Sequence, residues 1–80
     1  MTTIPKELEG VLVSTEDTLH GAIRFSGTRV PVELFLDTIA EGWSLDRTLE
    51  SFPTIPREGG LAVLAWLNGH ARREMGIELI

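Results

Sequence analysis

The sequence predicts a mainly α fold: a three-helix, helix-turn-helix-like core with a short N-terminal β-hairpin. The chain has 80 residues, no cysteine and 42% hydrophobic residues, which is the composition of one small globular domain. Apolar residues alternate before residue 31 and recur at helical spacing after it. Glycines and prolines divide the later part into three stretches. We therefore divide the single domain, 1–80, into a β-element (10–30), a three-helix core (31–68) and a C-terminal tail (69–80).

The β-element is predicted from two short runs. Val11-Leu12-Val13 is rich in β-branched residues, and in Ala22-Ile23-Arg24-Phe25 the side chains of Ile23 and Phe25 fall on one face. The residues between the two runs are rich in turn formers. An isolated hairpin is only marginally stable, so we expect it to pack on the helices.

The first two helices are predicted from their ends. Pro31 pre-sets φ for a helix start, and Gly42 is suited to the left-handed residue that follows a helix. Ser44 can cap the second helix, and Pro53 stops it. The apolar side of the first helix is expected to comprise Leu34, Phe35, Leu36 and Ile39.

The third helix is predicted to start at Leu61, because Gly59 and Gly60 each cost about 1 kcal/mol in a helix relative to alanine. Its apolar face is expected to contain Leu61, Leu64 and Ala65, with Asn68 at the margin, and Gly69 is expected to end it. The last four residues, 77–80, alternate and fit either a strand or a frayed end.

Three blocks at fixed spacing are the most distinctive part of the chain: RFSGTRVPV at 24–32, AEGWSLD at 40–46 and SFPTIPRE at 51–58. Together they resemble the domain-of-unknown-function family 433 over residues 10–67. The resemblance implies a helix-turn-helix-like core and an antitoxin-like role as the partner of a PIN-like ribonuclease toxin. The positions that match the family's motif are Gly27, Thr28, Arg29, Pro31, Gly42 and Pro53.

The distribution of charge limits nucleic-acid binding. The net charge is −5, and residues 32–53 hold five carboxylates against one arginine, whereas a nucleic-acid-binding face is usually basic. The planar donor fork of Arg29 suits a carboxylate, a carbonyl or a phosphate, so it either locks the strand to its neighbours or contacts a partner or nucleic acid. The candidate nucleic-acid-binding residues are Arg29, Arg57, Asn68, Arg72 and Arg73.

The large apolar residues indicate association with another protein. Phe25, Trp43, Trp66 and the end of the chain exceed what three short helices readily bury, and exposed apolar patches mark interaction sites. Tryptophan is also enriched at interface hot spots. The candidate partner-binding residues are Trp43, Trp66, Ile77, Leu79 and Ile80.

Enzymatic chemistry has no support in the sequence. His20 and His70 lie far apart, and no phosphate loop or nucleophile elbow is present, so we expect no catalytic residue, metal or cofactor. No apolar run is long enough for a membrane span, and the N-terminus lacks the apolar region of a signal peptide, which predicts a cytoplasmic protein.

We therefore expect an antitoxin-like module that binds and neutralises a PIN-like ribonuclease and contributes to operon autoregulation through operator DNA. Two alternatives stay open. One is a homo-oligomeric interaction domain, such as a dimer, without nucleic-acid binding. The other is a helix-turn-helix transcription factor.

Overall fold

A computed structural model describes residues 3–15 and 21–77 and confirms the predicted fold class. Two strands, β1 (Leu12–Val13) and β2 (Arg24–Phe25), precede three helices. The helices are α1 (Val32–Ala40), α2 (Leu45–Ser51) and α3 (Arg57–Glu74). A 3-10 turn, Lys6–Leu8, lies before β1 and was not predicted, because three residues are too few to show a periodic pattern.

The strands form the expected antiparallel hairpin, in which Leu12 is opposite Phe25 and Val13 is opposite Arg24. The predicted turn formers at 16–18 lie outside the described residues. Helix α1 follows directly from the hairpin: Pro31 occupies the N-cap position, and the Val32 N–H donates to the Ile23 carbonyl at 2.9 Å. The hairpin and α1 are therefore fixed to each other through the backbone.

The predicted ends of α1 and α2 are confirmed. Gly42 has a φ of +95° immediately after α1, and the Ser44 hydroxyl accepts a hydrogen bond from the Arg47 N–H at 3.1 Å. The apolar side predicted for α1 is wrong at one position, because Leu34 is 44% exposed. Thr38 is buried instead.

Helix α3 differs from the prediction at both ends. It begins at Arg57 rather than Leu61 and continues past Gly69 to Glu74, so the predicted tail contributes its first six residues to the helix. Gly76, with a φ of +71°, is the glycine that ends it. The Gly76 N–H donates to the Arg73 carbonyl and the Ile77 N–H to the Arg72 carbonyl, the paired hydrogen bonds of a Schellman end.

Close packing explains why α3 begins with two glycines. Gly59 and Gly60 are buried. A Cβ on Gly60 would lie 3.0 Å from Leu45 Cδ1 and 3.4 Å from Phe35 Cε1, whereas one on Gly59 would make ordinary contacts of 3.5 Å or more. Gly60 thus lets α3 approach α1 and α2. Of the apolar face predicted for α3, Leu64 packs against the core, whereas Leu61, Ala65 and Asn68 are exposed.

The two glycines should respond differently to alanine. We expect Gly59→Ala to raise the free energy of unfolding by about 1 kcal/mol, because it gains helix propensity without a clash. Gly60→Ala should lower it by about 1 kcal/mol, because overpacking against Leu45 and Phe35 exceeds the same gain. Urea unfolding followed by circular dichroism measures both, and equal shifts of the same sign would contradict the close-approach role of Gly60.

The core is centred on two aromatic rings. Phe25 and Phe35 are fully buried and meet edge to face, with ring centroids 5.3 Å apart and planes at 75°. Phe25 was predicted to belong to an apolar excess at the surface, and this is wrong because β2 turns its side chain into the core. The core is completed by Leu8, Leu12, Ile55 and Val63.

A pair of buried hydroxyl groups joins α1 to α2. Thr38 Oγ1 donates to the Phe35 carbonyl at 2.8 Å and lies 2.9 Å from Thr48 Oγ1. The single hydroxyl proton of Thr38 is used by that carbonyl, so Thr48 is the donor in the hydrogen bond between the two threonines. Loss of the Thr38 hydroxyl therefore has a different consequence from loss of the Thr48 hydroxyl.

We expect Thr38→Val to destabilise the fold more than Thr48→Val does. Thr38→Val leaves the buried Thr48 hydroxyl without its acceptor, which costs about 1–3 kcal/mol, whereas Thr48→Val loses only the net value of one hydrogen bond, about 1 kcal/mol. The double variant should be no less stable than Thr38→Val alone. Urea unfolding of the three variants tests the donor assignment, and equal costs for the single variants would reject it.

Candidate functional site

The GTR block forms a tight turn between β2 and α1. Gly27 adopts a φ of +76°, a conformation that favours glycine. Thr28 closes the turn: its Oγ1 donates to the Phe25 carbonyl at 2.9 Å and accepts from the Val30 N–H at 3.1 Å. The motif residues Gly27 and Thr28 therefore have a structural role, as their residue types predict.

The two arginines beside this turn differ in role. The half-buried Arg24 donates from Nε to the Thr28 carbonyl at 3.0 Å and from Nη1 to Thr15 Oγ1 at 3.3 Å. Arg29 is exposed and has no hydrogen bond or ion pair with any residue of 3–15 and 21–77. Arg24 thus performs the locking function that was considered for Arg29. Sequence reasoning missed Arg24, although it occupies the strand position next to the motif.

An open depression of about 550 Å³ lies over this turn. We call it the arginine pocket, and its lining residues are Arg24, Gly27, Thr28, Arg29, Val30 and Thr54. Thr54 comes from the connection between α2 and α3, so the motif and this connection share one surface.

Three other candidate nucleic-acid-binding residues share one face of α3. Arg57, Asn68 and Arg72 are spaced by eleven and four positions and share a face with the exposed Leu61 and Ala65. Arg72 Nε donates to Asn68 Oδ1 at 3.3 Å, and Arg57 Nη1 forms an ion pair of 2.6 Å with Asp46 of α2. The predicted helix end at Gly69, which placed Arg72 and Arg73 in the tail, is wrong, because α3 continues to Glu74.

Arg73 lies elsewhere on α3. It is exposed and lines a shallow cavity together with Glu7, Trp66 and Gly69. The candidate basic residues are therefore divided among the arginine pocket, the Arg57–Arg72 face and this cavity.

The candidate partner-binding residues also lie in different parts of the structure. Trp43 is half-buried beneath Arg47, whose guanidinium carbon lies 4.5 Å from the centroid of its ring. The ring of Trp66 stacks on His70 with centroids 5.0 Å apart. Ile77 is 47% exposed just after the Schellman end of α3. Leu79 and Ile80 lie outside the described residues.

Trp66 borders an apolar groove of about 190 Å³ on the surface of the core. The groove joins the N-terminal turn, the hairpin, α1 and α3, and its apolar lining includes Leu8, Ile23, Val32, Leu36, Trp66 and Leu67. Its volume is below the ~300–1,000 Å³ of a typical small-molecule pocket. It therefore suits side chains that protrude from a macromolecular partner.

Residues 3–15 and 21–77 lack two further features. No group of three or more His, Cys, Asp or Glu side chains is arranged to hold a metal ion in that part of the chain. None of its helices has the length and apolar character needed to cross a membrane.

Comparison with known proteins gives one result. No match was found among curated proteins or among solved structures. The sequence model of one family matches residues 12–66, which is most of the described chain and lies within the range from which the resemblance was predicted. The chain belongs to the family described as Protein of unknown function (DUF433).

Proposed function

We propose that the protein is a cytoplasmic, antitoxin-like module that binds and neutralises a PIN-like ribonuclease through the apolar groove. The groove carries the proposal: it leaves apolar surface of Leu36, Trp66 and Leu67 open in a domain too small to hide it. Surfaces of this kind mark sites of protein association. The resemblance to the family motivates the nuclease, and the groove supports association with a protein partner.

The charge distribution supports a basic partner. Helix α1, the Glu41 that follows it and helix α2 carry five exposed carboxylates against Arg47. A ribonuclease needs a basic surface to hold the phosphates of its RNA substrate. Electrostatic complementarity between such a surface and these helices would speed association and make it dependent on salt. The carboxylates are Glu33, Asp37, Glu41, Asp46 and Glu50.

The test is co-expression with a nuclease-like product of a neighbouring gene, followed by size-exclusion chromatography and a ribonuclease assay. We expect the two chains to elute together and the ribonuclease activity to be lost in the complex. Separate elution of the two folded proteins would reject the proposal. A stable homo-oligomer that ignores the nuclease would favour the homo-oligomeric interaction domain instead.

A contribution to operator binding is supported by the face of α3 that carries Arg57, Asn68 and Arg72. These side chains offer the donors that read base edges or hold phosphates. Asp46 already pairs with Arg57, which reduces the positive charge of the face. We therefore propose that DNA binding is secondary to partner binding and needs contacts outside α3.

A further inference from the structure

We propose that the arginine pocket binds a phosphate group of duplex nucleic acid. The inference rests on the DNA-binding part of the proposed function and adds a site outside α3. Two guanidinium groups, those of Arg24 and Arg29, line the pocket, and no carboxylate lines it in the part of the chain that the structure describes. In a chain of net charge −5, this is a local site for an anion.

The fixed position of Arg24 and the exposed side chain of Arg29 suit the binding of a phosphate group. Arg24 is held in place by its hydrogen bond to the Thr28 carbonyl, so little side-chain entropy is lost when it binds. Arg29 is exposed and unpaired among the described residues, so its planar fork is available for two parallel hydrogen bonds to phosphate oxygens. The turn between them does not obstruct the ligand, because a Cβ placed on Gly27 would meet nothing within 4 Å.

The shape and position of the pocket favour a polymer. The depression is open to solvent, so it can hold one group of a long chain that continues in both directions. Thr54, which lines it, precedes Arg57 by three residues, a distance of at most about 11 Å along the backbone. A duplex with one phosphate in the pocket would therefore pass the start of α3. Phosphate contacts of this kind fix the orientation of a helix on DNA.

The test compares Arg29→Gln with Lys6→Gln, which removes the same charge from an exposed residue that lines neither the arginine pocket nor the apolar groove. Binding to a fluorescent duplex taken from upstream of the protein's own reading frame is followed by anisotropy over a range of salt. We expect Arg29→Gln to weaken binding about tenfold at low salt and to reduce the slope of log K against log salt by about one. Lys6→Gln should change the affinity less than twofold.

Four results would overturn the site. They are no binding of the unaltered chain at low salt, an unchanged affinity for Arg29→Gln, an equal loss for Lys6→Gln, and displacement of the duplex by millimolar inorganic phosphate at constant ionic strength. The last would identify free phosphate as the ligand. A scrambled duplex should show the same loss for Arg29→Gln, because phosphate contacts carry no sequence information.

Co-elution with the nuclease separates this inference from the proposed function. We expect Arg29→Gln to retain the nuclease while it loses the duplex. Loss of the nuclease with the duplex affinity unchanged would make the pocket a protein contact and overturn the inference. Failure of the unaltered chain to bind any neighbouring nuclease would reject the antitoxin role alone and leave the result with the duplex standing.

Discussion

Replacement of Phe35 by alanine should lower the free energy of unfolding by about 3–5 kcal/mol and shift the urea transition to a clearly lower concentration. Phe35 is fully buried, meets Phe25 edge to face and lies against Gly60 of α3. Truncation of a buried phenylalanine costs about 3–5 kcal/mol. A domain of 80 residues has a free energy of unfolding of about 4–12 kcal/mol, so this single change removes a large part of the total.

The measurement is urea unfolding followed by far-ultraviolet circular dichroism, with Trp43→Ala as the control. Trp43 is the larger aromatic residue, but it is only half-buried beneath Arg47 and lies outside the core cluster. We expect its loss to cost less than about 1.5 kcal/mol. If Phe35→Ala unfolded at the same urea concentration as the unaltered chain, Phe35 would not be the centre of the core.

The hairpin, α1 and α2 were predictable because local signals specify their ends. Pro31 sets the start of α1, Gly42 supplies the positive φ after it, and the Ser44 hydroxyl caps α2. Each signal acts within a few residues of its own position, so a single sequence is enough to read it.

The bounds of α3 were not predictable in this way. Gly59 and Gly60 are helix breakers by intrinsic propensity. Propensity does not include the close approach of Gly60 to Phe35 and Leu45, because these residues are distant in sequence. Gly69 read as a helix end, although the actual end at Gly76 has the same residue type. Tertiary packing decided between positions that look alike locally.

The candidate site also combines features that local sequence predicts with features that depend on tertiary packing. The positive φ of Gly27 and the backbone hydrogen bonds of Thr28 were predictable, because they follow from the two residue types alone. The role of Arg24 and the apolar groove were not, because they depend on segments that only the fold brings together. Trp66 was predicted to be a partner-binding residue, and it borders that groove together with Leu36 of α1.

If the groove binds the nuclease, Leu67→Gln should weaken the complex about 30-fold, which corresponds to roughly 2 kcal/mol of buried apolar contact replaced by an unpaired amide. Leu67 lines the groove and is 36% exposed, so the change should affect folding little. Glutamine keeps the length and helix propensity of the side chain. The effect should therefore appear in the dissociation constant.

The matched control is Leu61→Gln on the same helix. Leu61 is 49% exposed and does not line the groove; it lies on the face of Arg57 and Asn68. Isothermal titration of each variant with the nuclease should give a near-normal affinity for Leu61→Gln and a weak one for Leu67→Gln. The reverse order would place the nuclease on the Arg57 face. Since that face is also the candidate for base contacts, the nuclease and the operator would then compete for α3. The order of these two affinities therefore decides whether one molecule can hold both ligands at once.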